Sequence, residues 1–218
     1  MTDPTFWSTI GEIAIWLALG SGVVVLNHLK NKAEEWYRQR KLHPIARSVL
    51  ANRRVHALLV ELRAKTNADR ALVFLFHNGQ TFSNKNPLWR VSCTQEYCRK
   101  GVSDEIASQQ NILASLIWNG LAPLMGSDTG KGVICKDYIG HQIYVMDVQG
   151  MNDSYFQRSL ISRGVRTKIL TPLKDNNEVV GFIALHYDEE TNNLEDIEQI
   201  VREVSDSAAN IHYELKKD

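Results

Sequence analysis

From Phe6 to Leu26 the chain reads FWSTIGEIAIWLALGSGVVVL, 21 residues with one charged side chain, Glu12. As an α-helix at 1.5 Å per residue this run reaches about 31 Å, the thickness of a bilayer's hydrocarbon core. Its ten strong apolar residues contribute roughly −3 to −6 kcal/mol to insertion, against about +2.5 to +3.5 for a charge at the helix centre. Glu12 lies towards the outer end, where that penalty falls, so insertion wins by a modest margin. Lys30, Lys32, Arg38, Arg40 and Lys41 follow the run, whereas the leading MTDPTFW carries Asp3 and no basic residue. This asymmetry predicts a single-pass anchor in the cell (inner) membrane, with the C-terminal bulk in the cytoplasm. A cleaved signal peptide is the rival, but it needs a basic leading segment, and the apolar run continues past Ala18-Leu19-Gly20 to Leu26. An amphipathic or partner-bound helix is the remaining alternative.

The predicted organisation is an anchor at 1–27, a charged helical stalk at 28–43 and one domain at 44–218. That length suits one compact domain and is too short for two more. Twenty-five basic and 25 acidic residues cancel to a formal net charge of zero, which argues against a dedicated nucleic-acid binder. Cys93, Cys98 and Cys135 are an odd set of thiols, better matched to a reducing compartment than to a disulfide framework.

Within the domain, Pro44 suits a helix start, and Ile45, Val49, Leu50, Val55, Leu58, Leu59 and Leu62 recur at helical spacing. That stripe is broad enough for a sheet contact and a partner contact. Ala71 to Phe76 is a continuous apolar run, read as a buried strand that His77-Asn78-Gly79 stops; Leu88 to Gln95 alternates as a second strand. Ser103-Asp104-Glu105 caps an expected helix carrying Ile106, Ile112, Leu113, Leu116 and Ile117, and Gly126, Gly130 and Gly132 follow as a flexible connection. Ile143 to Met146 is a third strand and Asp153 opens another helix. Val165 to Leu173 and Val179 to Tyr187 form a hairpin about Asp175-Asn176-Asn177, and a last helix runs from about Leu194. The order predicts an α+β fold, an antiparallel sheet with helices packed on it, preceded by one N-terminal transmembrane helix.

Residues 130–187 resemble the C-terminal part of a GAF domain. The matching features are Gly132-Val133, the strand ending at Asp147, the helix running into Gly164-Val165-Arg166, Pro172-Leu173, Val180-Gly181 and the strand ending at His186. The closing LEDIEQIVREVSDSAANI resembles that family's final helix, and the likeness extends back through the helix at 45–66 and the strand at 70–77. Phe76-His77-Asn78-Gly79 is similar to a strand end in membrane-tethered GAF-like proteins of bacteria and tailed phages. The resemblance implies a sensor or regulatory module that binds a small ligand or a protein partner without catalysis. It also implies a homodimer paired through the first and last helices. Fold alone does not choose the ligand, so the site is argued from residues.

An aromatic wall with basic groups suits an anionic planar ligand such as a nucleotide. Phe76, His77 and Asn78 at the first strand's end, Trp89 and Arg90 on the second, and Lys168 and His186 on later strands are the candidates. The bland alternative has His77 and Asn78 capping a strand end and Trp89 in the core. The cofactor is unknown. A second functional reading is a thiol redox enzyme through Cys93, Cys98 and Cys135. Gly130-Lys131-Gly132-Val133-Ile134-Cys135 resembles the glycine-lysine-glycine-valine-cysteine stretch of free methionine sulfoxide reductases, with one residue inserted. The third reading is a ligandless dimeric scaffold that recruits a partner at the membrane. Zinc is not expected, because Cys93-x4-Cys98 lacks a second pair at ligand spacing.

Overall fold

The computed structural model describes residues 27–32, 34, 44–81, 87–127, 130–190 and 196–216. Two units divide the chain, Met1–Val49 and Leu50–Asp218. Residues 28–32, inside the expected stalk, are helical. The predicted span at 6–26 lies outside the described residues, among which no helix is long and apolar enough to cross a membrane.

Helix α1 (Pro44–Thr66) carries Arg63 and Lys65 in its last turn, where positive charge complements the helix dipole. It ends where Asn67 takes a left-handed φ of 53°, a conformation asparagine tolerates better than most residues. Val55, Leu59 and Leu62 are fully buried in the core, whereas Ile45, Val49 and Leu50 are exposed. The broad stripe is therefore divided along the helix, with only its C-terminal half in the core.

Seven antiparallel strands follow, β1 (Arg70–Thr81), β2 (Pro87–Cys98), β3 (Ile112–Leu113), β4 (Val133–Tyr138), β5 (His141–Asp147), β6 (Thr167–Asp175) and β7 (Glu178–Tyr187). Their order in the sheet is β3-β2-β1-β7-β6-β5-β4. Strand β1 does not stop at His77-Asn78-Gly79. It continues to Thr81 because pairing with β2 holds the segment extended, with register shifts at Val73/Phe74 and Asn78/Gln80. The helix expected after Ser103 is replaced by two 3₁₀ turns, Ile106–Gln109 and Ala114–Ile117, the two-residue β3, and the one-turn α2 (Trp118–Leu121). Asn111 at φ 55° and Pro123 interrupt any longer helix. The expected flexible connection leads instead into a hairpin, β4–β5, turning at Ile139 and Gly140 with φ of 51° and 78°. The β6–β7 hairpin turns as predicted, at Asn176 and Asn177 with φ of 48° and 68°, the double left-handed pattern that matches strand twist.

Alternation along the strands gives the sheet two apolar faces. Val73, Ile143, Val145, Ile169, Ile183 and Leu185 pack under α1 and under α4 (Ile197–Lys216), which contributes Ile200, Val201, Val204, Ala208 and Ile211. The opposite face presents Leu72, Phe74, Met146, Leu170 and Phe182 to a cap of short elements. That cap includes Ile117, Leu121, Leu124 and helix α3 (Tyr155–Ile161) with Phe156 and Leu160; Ser154 caps α3 by accepting the Gln157 N–H.

Candidate functional site

Register lines up a basic row across the capped face. Arg70 on β1 is opposite His186 on β7, His186 is opposite Lys168 on β6, and Lys168 is opposite Met146 on β5. Met146 belongs to the capped core, so alternation directs the whole row under the cap. Paired side chains of this kind lie about 5 Å apart at Cβ. Lys168 is 4% exposed and His186 is 1% exposed.

Aromatic rings surround the Lys168 ammonium. Its Nζ lies 4.8 Å from the ring centroid of Phe156, 5.8 Å from Phe74 and 6.0 Å from Phe182. Phe74 and Phe182 are stacked at 4.8 Å, and Phe76 joins them 6.0 Å from Phe182. Burial pushes the Lys168 pKa down to about 7, with the positive Arg163 adding to the push and Cys93 and Glu105 opposing it. For His186, burial first, then Lys168, Arg70 and Arg163, hold the ring well below the usual histidine range. Neither ring nitrogen of His186 has a hydrogen-bond partner among the described residues.

Beside this pair lies an ion cluster whose charges already balance. Glu105 meets Arg70 Nη2 at 3.2 Å and Arg163 Nε at 3.4 Å, while Glu96 Oε1 lies 3.9 Å from Arg70 Nε. The Glu105 N–H donates to Glu96 Oε2 at 2.8 Å, tying the cap to β2. Two guanidinium groups thus match two carboxylates. Lys168 has no salt-bridge partner among the described residues, so its positive form is left without a counter-charge.

The structure brings Lys168, His186 and Phe76 to one face, which Asn78 and Trp89 share by alternation at its exposed end, and places His77 and Arg90 on the other. His77 and Arg90 are register partners on the opposite side of β1 and β2, since Leu75 packs into the helix face and Phe76 into the capped one. His77 Nε2 bonds the Ser92 hydroxyl at 2.9 Å, and Arg90 Nη1 donates to the Asn111 carbonyl at 2.8 Å. Asn78 is exposed, and Trp89 is 51% exposed, outside any core. Phe74, Phe156, Phe182, Arg70, Glu96, Glu105 and Arg163 are site residues that the sequence analysis did not select. Arg70 and Lys168 had one readable signal, a basic residue opening an otherwise apolar strand.

The thiols do not assemble. Cys93 and Cys98 lie on β2 and Cys135 on β4, five strand spacings or about 24 Å apart across the sheet. Burial, followed by Glu96, pushes the Cys93 pKa up to about 12 and that of Cys98 to about 11, so both stay protonated. Two surface clefts lie away from the basic row. One of about 190 Å³ is lined by His141, Lys174 and His212, and one of about 370 Å³ by Gly132, Asp147 and Glu190.

An antiparallel sheet with long helices on one face and a short-element cap enclosing polar groups on the other defines a single α+β module. The family model for the GAF domain matches residues 51–211, and the chain belongs to that family. It is similar in structure to the phycocyanobilin-bound GAF domain of a cyanobacterial phytochrome, with a TM-score of 0.53 and 18% identity, covering 89% of this chain and 96% of that one. It is also similar to the phycoerythrobilin-bound GAF domain of a cyanobacterial phytochrome, with a TM-score of 0.52, 18% identity, and coverage of 77% and 88%. The blue-light absorbing PixJ GAF domain of Thermosynechococcus elongatus gives 0.50 at 12% identity, covering 79% of this chain and 90% of that one. At these identities the likeness is one of fold. No curated protein matches the chain.

Proposed function

We propose that this chain is a membrane-tethered, cytoplasm-facing, non-catalytic sensor that binds a small ligand through an anionic or carbonyl oxygen at Lys168 and His186. The carrying observation is His186, buried with both ring nitrogens unpartnered, beside a Lys168 that lacks a counter-charge. A buried polar group left unsatisfied costs about 1–3 kcal/mol, and an acceptor oxygen would satisfy the His186 N–H while offering Lys168 a counter-charge. The three phenylalanine rings supply a wall for a planar body, so the chemistry suits a nucleotide-like ligand or a smaller aromatic acid. Leu72, Phe74, Met146, Leu170 and Phe182 are all buried, so an extended tetrapyrrole would have to displace more of the cap than a nucleotide or an aromatic acid does. Entry requires displacement of the cap, whose elements are short enough to open locally.

The run at 6–26 and the basic residues after it support tethering, and the exposed Leu50 on α1 supports pairing of two copies. Separation of the three cysteines and the raised pKa values of Cys93 and Cys98 support a binding role over sulfoxide reduction. The test is native mass spectrometry and an absorbance scan of the full chain purified in mild detergent. The expected result is a copurified small molecule, without a visible band, that is lost in Lys168→Met. A chain without bound ligand, whose melting temperature ignores nucleoside phosphates and aromatic carboxylates alike, would overturn this proposal in favour of the scaffold.

A further inference from the structure

We infer that Lys168 is a carbonyl-reactive amine, capturing an aldehyde or ketone ligand as a reversible Schiff base beneath the cap, with His186 relaying the proton. The inference rests on the capped face being the ligand site. Three features carry it: a lysine enclosed by three phenylalanine rings, no carboxylate in salt-bridge range of its ammonium among the described residues, and an imidazole at the paired register position whose two nitrogens have no hydrogen-bond partner among them. A lysine desolvated by apolar walls is the form in which an amine acts as a nucleophile near neutral pH. Burial biases it towards the neutral amine and Arg163 adds to that, against Cys93 on β2 and Glu105 from the cap.

The step balances without an outside reagent. The neutral Nζ donates its lone pair to the carbonyl carbon, and the C=O π pair moves onto oxygen. One nitrogen of His186 takes the proton released from Nζ, while the proton on the other nitrogen passes to that oxygen. The carbinolamine then expels water as the nitrogen lone pair forms C=N, and hydrolysis reverses the sequence. Nothing is oxidised or reduced. An exposed lysine at pH 7 is neutral in roughly one molecule in two thousand, whereas an amine titrating near 7 is neutral in about half.

Benzaldehyde with cyanoborohydride on the folded full chain, followed by peptide mass spectrometry, tests this directly. The expected result is benzylation concentrated at Lys168, with a rate that rises through about pH 7 and then levels off, while exposed lysines keep accelerating towards about pH 10. The N-terminal amine is an internal standard in the same digest. Benzoate, which binds an acceptor site and cannot form an imine, should raise the melting temperature and slow the labelling. Lys168→Arg, which keeps a positive charge and lacks the nucleophile, should lose the label. If benzoate stabilises the chain but label never concentrates at Lys168, or does so only after unfolding in urea, the covalent step is overturned and the ligand site stands. If benzoate has no effect and Lys168 is not labelled, both fall.

Discussion

The two faces of the sheet solve the same packing problem by different means. On the helix face, the C-terminal half of α1 and the 20-residue α4 lay apolar stripes on Val73, Ile143, Ile169 and Leu185. On the capped face, α2 of four residues, α3 of seven and three 3₁₀ turns cover a core that also encloses Arg70, Lys168 and His186. Long helices recover the entropy of ordering through many regular backbone bonds and one broad apolar contact. Short irregular elements do not, and their core contains ionisable groups that disfavour burial. The lesson is a division of labour across one sheet. One face holds the fold together, and the other encloses ionisable groups that the described residues leave partly unpartnered.

Substitutions can break or sharpen this contrast. Arg70→Met should have the largest effect, about 3–5 kcal/mol of destabilisation in urea melts, because it strands the enclosed Glu96 carboxylate and leaves Glu105 with Arg163 alone. Leu59→Ala, on the other face, should cost about 2–5 kcal/mol through an apolar cavity, with no change in pH dependence. The contrast sharpens with Lys168→Met, which should stabilise the chain by about 1–4 kcal/mol near pH 7. Lys168 titrates near 7 in the fold and near about 10.4 unfolded, so the unfolded chain holds more protons between those values. Wild-type stability should therefore rise by up to about 1.4 kcal/mol per pH unit across that window, closing the gap to Lys168→Met. A constant gap from pH 7 to pH 10 would sink this assignment. His186 is held neutral, so stability should fall with acid below about pH 6.5, by the same slope at most, and His186→Gln should flatten that limb. The smallest effect belongs to neither face. Ile139→Asn should gain about 1 kcal/mol, because Ile139 is exposed and takes a left-handed φ of 51° that disfavours a β-branched residue.

Where apolar period and turn chemistry agreed, the sequence was legible. The run VGFIALHY and the Asn176-Asn177 turn are visible as half of a hairpin, and α4 reads as one apolar stripe from Ile197 to Ile211. Strand β4 was hidden because VICKDY is an edge strand with Ile134 and Cys135 exposed, and its turn uses Ile139 where asparagine or glycine would have signalled it. The cap was mistaken for one helix because Ile106, Leu113 and Ile117 fit a helical period that Asn111 and Pro123 then interrupt. Of the candidate site, Lys168 and His186 stood out as basic residues bordering apolar runs. The charges of Glu96, Glu105 and Arg163 did not, because their pairing depends on strand register and on the path of the cap. His77 was misplaced by a single step of alternation, which is enough to move a side chain through the sheet.

Gly120 in α2 has no side chain where Phe156 lies, and a methyl group there would run into that ring. The ring of Phe156 is also the one nearest the Lys168 ammonium. One phenyl group is thus both the seat of the cap and the wall of the cation, a mechanical linkage one ring thick. A molecule that pushes Phe156 aside must tilt α2, and Trp118, half exposed at the start of that helix, moves with it. On the proposed function, a ligand beneath the cap would therefore shift the half-exposed indole of Trp118 at the surface.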